Sequence, residues 1–428
     1  MPRPASIVTL LAVLAVVSTA RADNWPSWRG PTQNGVAPSG SYPVKWSATE
    51  NVAWKVKLPG KGTSTPIVWE DLIILTAQED GQNTAMAINR RGKTIWKTTA
   101  GGLGIKGKHR KASGSNPSPV TDGKHVYVYF KTGDLLCLSL AGKVVWQTNL
   151  QKTWGKDTLW WDLGTSPVLS DKKVLVAVMQ TGGSYVAAFD KLTGKLAWKR
   201  DRDLDAPLEA AQSYTTPIVL KRNKRETLLV LGADHVTAHD VDSGNETWRV
   251  GGLNPTGHKF FRSISSPVVA GDLLLAPYSR GGTLTAIRLG GSGDVTKSHV
   301  AWSNTGGASA DVPTPVVSGH RAFVCNDRGK LTCLDTRTGK ALWSGVVEKN
   351  RTGYSSSPIL AGGRIYLTRE DGKTFVVGSG ETFEVIESNE LGEFTVATPV
   401  FLNGQILLRT TEHLYCIGKS AGSAAAGE

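Results

Sequence analysis

Adjacent cysteines are missing from this chain, and so is any long apolar run beyond its first residues. The four Cys stand apart, at 137, 325, 333 and 416. No Cys-x-x-Cys-His run is present, which excludes a covalently attached haem of that type. No Asp-x-Asp-x-Asp-Gly run is present to form a calcium loop. Gly-x-Ser-x-Gly, His-Glu-x-x-His and P-loop signatures are also absent, so the chain carries none of the familiar hydrolase, zinc-protease or nucleotide-binding motifs. After residue 22 no segment is long and apolar enough to span a bilayer. Methionine is scarce, at 3, and 36 acidic residues face 49 Lys and Arg.

What is present is glycine, 48 residues, and tryptophan, 14 residues. Many tight turns with repeated aromatic packing favour an all-β repeat fold. The first residues read as an export signal. Arg3 precedes the apolar stretch Ile7 to Val17, and Ala20-Arg21-Ala22 supplies a small-x-small cleavage pattern. A mature chain starting at Asp23 is expected, with 1–22 as signal peptide. The formal charge of +13 then falls by Arg3 and Arg21 to +11. A basic surface favours anionic partners, and export disfavours nucleic acid among them.

Self-similarity decides the architecture. A Ser/Thr-Pro-aliphatic triplet recurs eight times, with prolines at 66, 119, 167, 217, 267, 315, 358 and 399, spaced 41 to 53 residues apart. That period suits four short strands. Each triplet is followed by a turn and a β-branched run, as in Thr121-Asp-Gly-Lys124 before His125 to Phe130. A second turn and a third strand follow, the third strand carrying a small residue such as Ala188 or Cys137. A fourth strand then bears Trp96, Trp146, Trp198, Trp248, Trp302 or Trp343, and the seventh unit offers Val385-Ile386 instead. The last unit lacks its fourth strand, and the segment around Trp54 can supply it from the N-terminus. The sequence therefore predicts an eight-bladed β-propeller of four-stranded blades over 51–418. A lead segment at 23–50 precedes it and a disordered tail at 419–428 follows it.

Residues Ala188 to Trp198 fit the pattern Ala-x-Asp-x-x-Thr-Gly-x-x-x-Trp in full. Ala238 to Trp248 and Cys333 to Trp343 fit it with one substitution each. This pattern resembles the tryptophan-docking repeat of the quinoprotein alcohol dehydrogenase-like (PQQ-like) propeller family. The lead Asn24-Trp-Pro-Ser-Trp-Arg-Gly-Pro31 is similar to that of secreted, planctomycete-type members. The family resemblance implies two outcomes. Some members are pyrroloquinoline quinone (PQQ) dehydrogenases that hold the quinone beside a vicinal disulfide, with Ca²⁺ near Glu, Asn and a catalytic Asp. Others, such as the outer-membrane assembly lipoprotein, are cofactor-free. The repeat itself is a packing device: the Asp caps a turn, the Gly takes the left-handed conformation, and the Trp wedges between blades. Cys137, Cys333 and Cys416 occupy the slot where other blades have Ala, as small packing residues. Cys325 and Cys333 lie on neighbouring strands, where a bridge and a free pair are both open.

A site is expected on the loops that lead into each triplet. They carry Lys106, Lys108, His109, Arg110 and Lys111; Trp160, Trp161 and Asp162; Tyr214; His258, Lys259, Phe261 and Arg262; and Tyr354. Aromatic and basic residues alternating on one rim suit a protein interface or a saccharide or anion site. Taken singly, each has a plain structural role, in loop packing or solvation. The expectation is an exported, periplasmic or extracellular, monomeric binding scaffold without catalytic residues. Its partner is an envelope protein or an anionic or saccharide ligand. No cofactor is expected, PQQ with calcium being the disfavoured case. A PQQ-dependent oxidoreductase of alcohols or sugars and a carbohydrate-binding propeller are the alternatives.

Overall fold

The computed structural model describes residues 23–103 and 109–419. The expected signal peptide, Lys106, Lys108 and the tail from 420 lie outside the described residues. Eight sheets form a ring of blades. Blade 3 is representative, with strands Val168–Leu169, Lys173–Val178, Tyr185–Asp190 and Leu196–Asp201 in antiparallel order. Counting from the first triplet, blade 4 has five strands, the other blades four among the described residues. Its outer strand Glu246–Val250 gains a parallel partner, Gly293–Asp294, from a connection of blade 5. The eighth blade is closed as expected: Val52–Lys57 pairs with His413–Ile417, so both ends of the propeller share one sheet. Such closure removes a free edge.

The repeated tryptophans explain the spacing. In each Trp-bearing blade the small residue of strand three lies directly across from the Trp: Ala188 from Trp198, Cys137 from Trp146, Cys333 from Trp343, Cys416 from Trp54. A register shift follows at the small residue in each of the three internal pairs. A β-bulge of this kind re-aims a side chain. The indole then donates to a carbonyl in the next blade, Trp146 to Lys191 and Trp198 to Val241, each at 2.9 Å. Its ring packs on the turn glycine of that blade. Gly194 has φ +69, and a Cβ there would lie 2.5 Å from Trp146. Only glycine meets both conditions. All four cysteines are free and buried. Cys325 faces Leu331 and Cys333 faces Phe323, so the two thiols are not cross-strand partners.

The triplets do more than mark the period. The backbone N–H of each Ser or Thr donates to the hydroxyl of the next blade's Ser or Thr. The chain of bonds runs Thr65 to Ser118, Ser166, Thr216, Ser266, Thr314, Ser357 and Thr398, then back to Thr65, at 2.8 to 3.3 Å. Eight inner strands are thereby joined into one hydrogen-bonded hoop around the channel.

The lead at 23–50 packs against the propeller on the face of the first-to-second-strand turns. Trp25 is fully buried and bridges Val68, Val36 bridges Leu360, and Ser47 bridges Glu390. Arg29 is buried at the channel and donates to the carbonyls of Pro315 at 2.8 Å and Pro358 at 3.1 Å. It meets no carboxylate among the described residues, and burial lowers its pKa to about 9. Trp28 reaches the hoop and donates to Thr398 Oγ1 at 3.2 Å. The lead thus closes one end of the channel.

Candidate functional site

At the other end the channel opens as a cup of about 430 Å³. Trp28 and the hoop hydroxyls of Ser118, Ser166, Thr216, Ser357 and Thr398 form its floor. Loops entering the blades form its wall, bringing His109, Lys111, Trp161, Asp162, Tyr214 and Arg262 to one cavity.

These residues have different tasks. Asp162 is buried and accepts from the backbone N–H of Ser113 at 2.6 Å, Gly114 at 2.8 Å and Leu163 at 2.7 Å. Burial raises its pKa, against the pull of those bonds. It ties the basic loop to the neighbouring blade. Trp161 is 51% exposed. Its indole donates to Glu209 Oε1 at 2.9 Å, and its ring meets His109 edge-on at 6.1 Å. Burial, then Lys111 and Arg110, lower the pKa of His109 and favour its neutral imidazole. Tyr214 is buried and donates to Gln212 Oε1 at 2.9 Å. Arg262 pairs with Asp311 at 3.1 Å and lies 3.5 Å from Glu209.

Other expected rim residues stand outside the cup or below its surface. Trp160, 43% exposed, lies beside Phe260, with Lys259 over the Phe260 ring. His258 stacks on Phe261 at 4.2 Å. Arg110 pairs with Glu370 at 2.7 Å and covers the Phe394 ring. Tyr354 is a correction. It is 2% exposed and packs in the core near Phe375, over Gly329, so it offers the rim no surface. Its place next to a serine run resembles that of a rim residue, but the glycine beneath it admits the ring to the interior.

Sequence reasoning missed Trp28, which comes from the lead and has no counterpart in the repeat. It also missed Arg280, whose φ of +52 places a long cation at the cup through a turn where glycine is usual. Arg280 lies 3.7 Å from Asp311. Behind that pair, burial and the charge of Asp311 raise Asp327 to about 6.

The carboxylates around the cup are already engaged. Glu370 holds Arg110 and Lys111, Asp311 holds Arg262 and Arg280, Glu209 holds Trp161 and Arg262, and Asp162 holds backbone. No group of three or more His, Cys, Asp and Glu converges among the described residues. With the cysteines apart and free as well, the donor set does not fit a calcium-bound quinone beside a disulfide.

Comparison with known proteins agrees with this architecture. The family described as outer membrane protein assembly factor BamB matches residues 43–174, 81–248 and 161–377. The protein of that name from Yersinia pestis is 22% identical over 353 residues, 80% of each chain. The crystal structure of BamB from Moraxella catarrhalis superposes with a TM-score of 0.60 at 16% identity, covering 86% of this chain and 98% of that one. Quinohemoprotein alcohol dehydrogenase from Comamonas testosteroni gives 0.65 at 13% identity, covering 96% and 83%. At such identities the two structures speak for the fold alone. The chain belongs to the PQQ-like repeat propellers, in the family described as outer membrane protein assembly factor BamB.

Proposed function

We propose that this chain is an exported, non-catalytic scaffolding propeller that holds a protein partner of the cell envelope at the cup and its rim. One observation carries the reading. The cup's carboxylates are bound to cations or backbone, while Trp160 beside Phe260 and Trp161 beside His109 remain half exposed. Exposed aromatic anchors among basic residues suit a protein contact. The named role of the Yersinia relative, outer membrane protein assembly, supports a partner in the envelope. The segment at 1–22 acts as a cleaved export signal in this reading, and no described helix is long and apolar enough to cross a membrane.

Neither exposed Trp lies coplanar with its aromatic neighbour. Trp161 and His109 stand at 85°, Trp160 and Phe260 at 50°. This weighs against the carbohydrate reading. A photo-crosslinking residue placed at Trp160 or Trp161 in the producing cell tests the scaffold. A discrete adduct with one envelope protein, absent when the probe stands at the exposed Leu192 on the opposite face, is the expected result. Loss of rim adducts, together with stoichiometric binding of PQQ plus Ca²⁺ and dye reduction by alcohols or sugars, would replace the scaffold by an oxidoreductase.

A further inference from the structure

The face opposite the cup is unevenly covered. Hydrogen bonds of the lead run to blades 1, 2, 6, 7 and 8, through Glu70, Thr121, Val317, Leu360 and Asn403. The first-to-second-strand turns of blades 3 and 4 take no hydrogen bond from the lead among the described residues, and their tips are exposed. Blade 4 carries the most basic of them, Lys221-Arg222-Asn223-Lys224-Arg225, exposed at all five positions.

This turn also protrudes. The inner strand of blade 4, Ile218–Arg222, has 5 residues, whereas Ile67–Trp69 has 3 and Val168–Leu169 has 2. All three begin at the aliphatic residue of the triplet, so the extra length extends this hairpin by about 7 to 10 Å at roughly 3.3 Å per residue. Asn223 and Lys224 have φ of 48° and 63°, the two left-handed positions of a tight hairpin turn. Asparagine accepts that conformation. Lysine accepts it at a cost, so a cation stands where glycine would be easier.

Charge is arranged in two tiers. At the stem, Lys221 pairs with Asp171, and Arg222 pairs with Asp272 at 2.8 Å. At the tip, Lys224 and Arg225 make no ion pair among the described residues. Glu226, the nearest acid in sequence, accepts instead from the backbone N–H of Asp171 at 2.9 Å. On the same face of blade 3, Lys172 and Lys195 are exposed, and Leu192 is 58% exposed.

We propose that this bare sector, tipped by Lys224 and Arg225, docks the propeller on a bilayer surface of anionic phospholipid, with the cup facing away. Unpaired cations on long side chains at a protruding tip read diffuse negative charge. They lack the buried apolar anchor on which a specific protein contact depends. The contact is independent of what the cup holds.

Cosedimentation of the full mature chain with vesicles tests this. Binding is expected to vesicles of mixed phosphatidylglycerol and phosphatidylcholine and not to phosphatidylcholine alone, weakening as salt rises. The K224E/R225E variant should bind at least about tenfold more weakly. K224G removes one charge while relieving the backbone, so it should weaken binding with no fall in melting temperature. Alteration of Trp160 or Trp161 should leave vesicle binding unchanged even where it abolishes rim adducts. Equal binding to both vesicle types, an undiminished K224E/R225E variant, or release by inorganic phosphate at constant ionic strength would overturn the proposal.

Discussion

The hoop hydroxyls make a residue-scale test of what holds the blades together. Ser357 accepts the buried N–H of Thr314 at 2.9 Å. Replacing Ser357 by Ala orphans that donor, at a cost of about 1–3 kcal/mol. Ser357→Thr keeps the acceptor and should be close to neutral, since Thr stands at four of the eight hoop positions. Denaturant midpoints of the two variants read the difference, and equal midpoints would show the hoop to be incidental. The triplets were visible in the sequence as a period, but their bonding was not. Each acceptor lies 41 or more residues away from its donor, and a serine before a proline looks the same in a loop as in a hoop. The same limit applies to the site. Aromatic and basic residues could be assigned to one rim because they precede the triplets. Burial separated Tyr354 from Trp161, and burial depends on the neighbouring turn rather than on the residue.

At the scale of the element, the closing strand Val52–Lys57 is held by more than its ladder to His413–Ile417. Lys55 meets Glu393 at 2.9 Å, and the same carboxylate accepts from Tyr415 at 2.6 Å, Thr410 at 2.6 Å and His413 at 3.0 Å. Burial would raise the pKa of Glu393, but the bonds from Thr410, Tyr415, Lys55 and His413 outweigh it and hold the group at about 2. A carboxyl whose folded pKa is depressed stabilises the fold fully above its unfolded value near 4.5. That contribution fades as pH falls from there towards 2. Melting temperature should therefore drop more steeply over this window in the native chain than in Glu393→Gln, while the variant is the less stable at pH 7. Parallel curves would remove Glu393 from the latch. The closing strand itself was legible, because Trp54 and its neighbours look like a fourth strand without a blade. The latch was not, because its carboxylate comes from a loop outside the repeat.

For the whole molecule, the ring is a repeat array whose first and last units touch, which an open solenoid never achieves. Two features close it: the shared eighth blade and the hoop bond from Thr398 N–H to Thr65 at 3.1 Å. Arg409 adds a third. It is fully buried at this seam with no carboxylate partner among the described residues and donates to the carbonyls of Ser64 and Thr76, at 2.8 and 2.7 Å. A chain beginning at Leu58 would keep the hoop and Arg409 but lose both the closing strand and the lead. The edge of His413–Ile417 would then be an unpaired, apolar strand, the form that recruits other chains. The truncated protein is expected to elute as larger species than the native chain and to melt earlier, and a peptide of residues 51–58 added in excess should return it to the native elution position. Because the peptide lacks the lead, its rescue separates the two losses. Recovery of the native elution position without recovery of melting temperature would assign the remaining stability to the plug of Trp25, Trp28 and Arg29. A truncated chain that elutes and melts with the native one would mean that the hoop and the Arg409 seam alone suffice to close the ring.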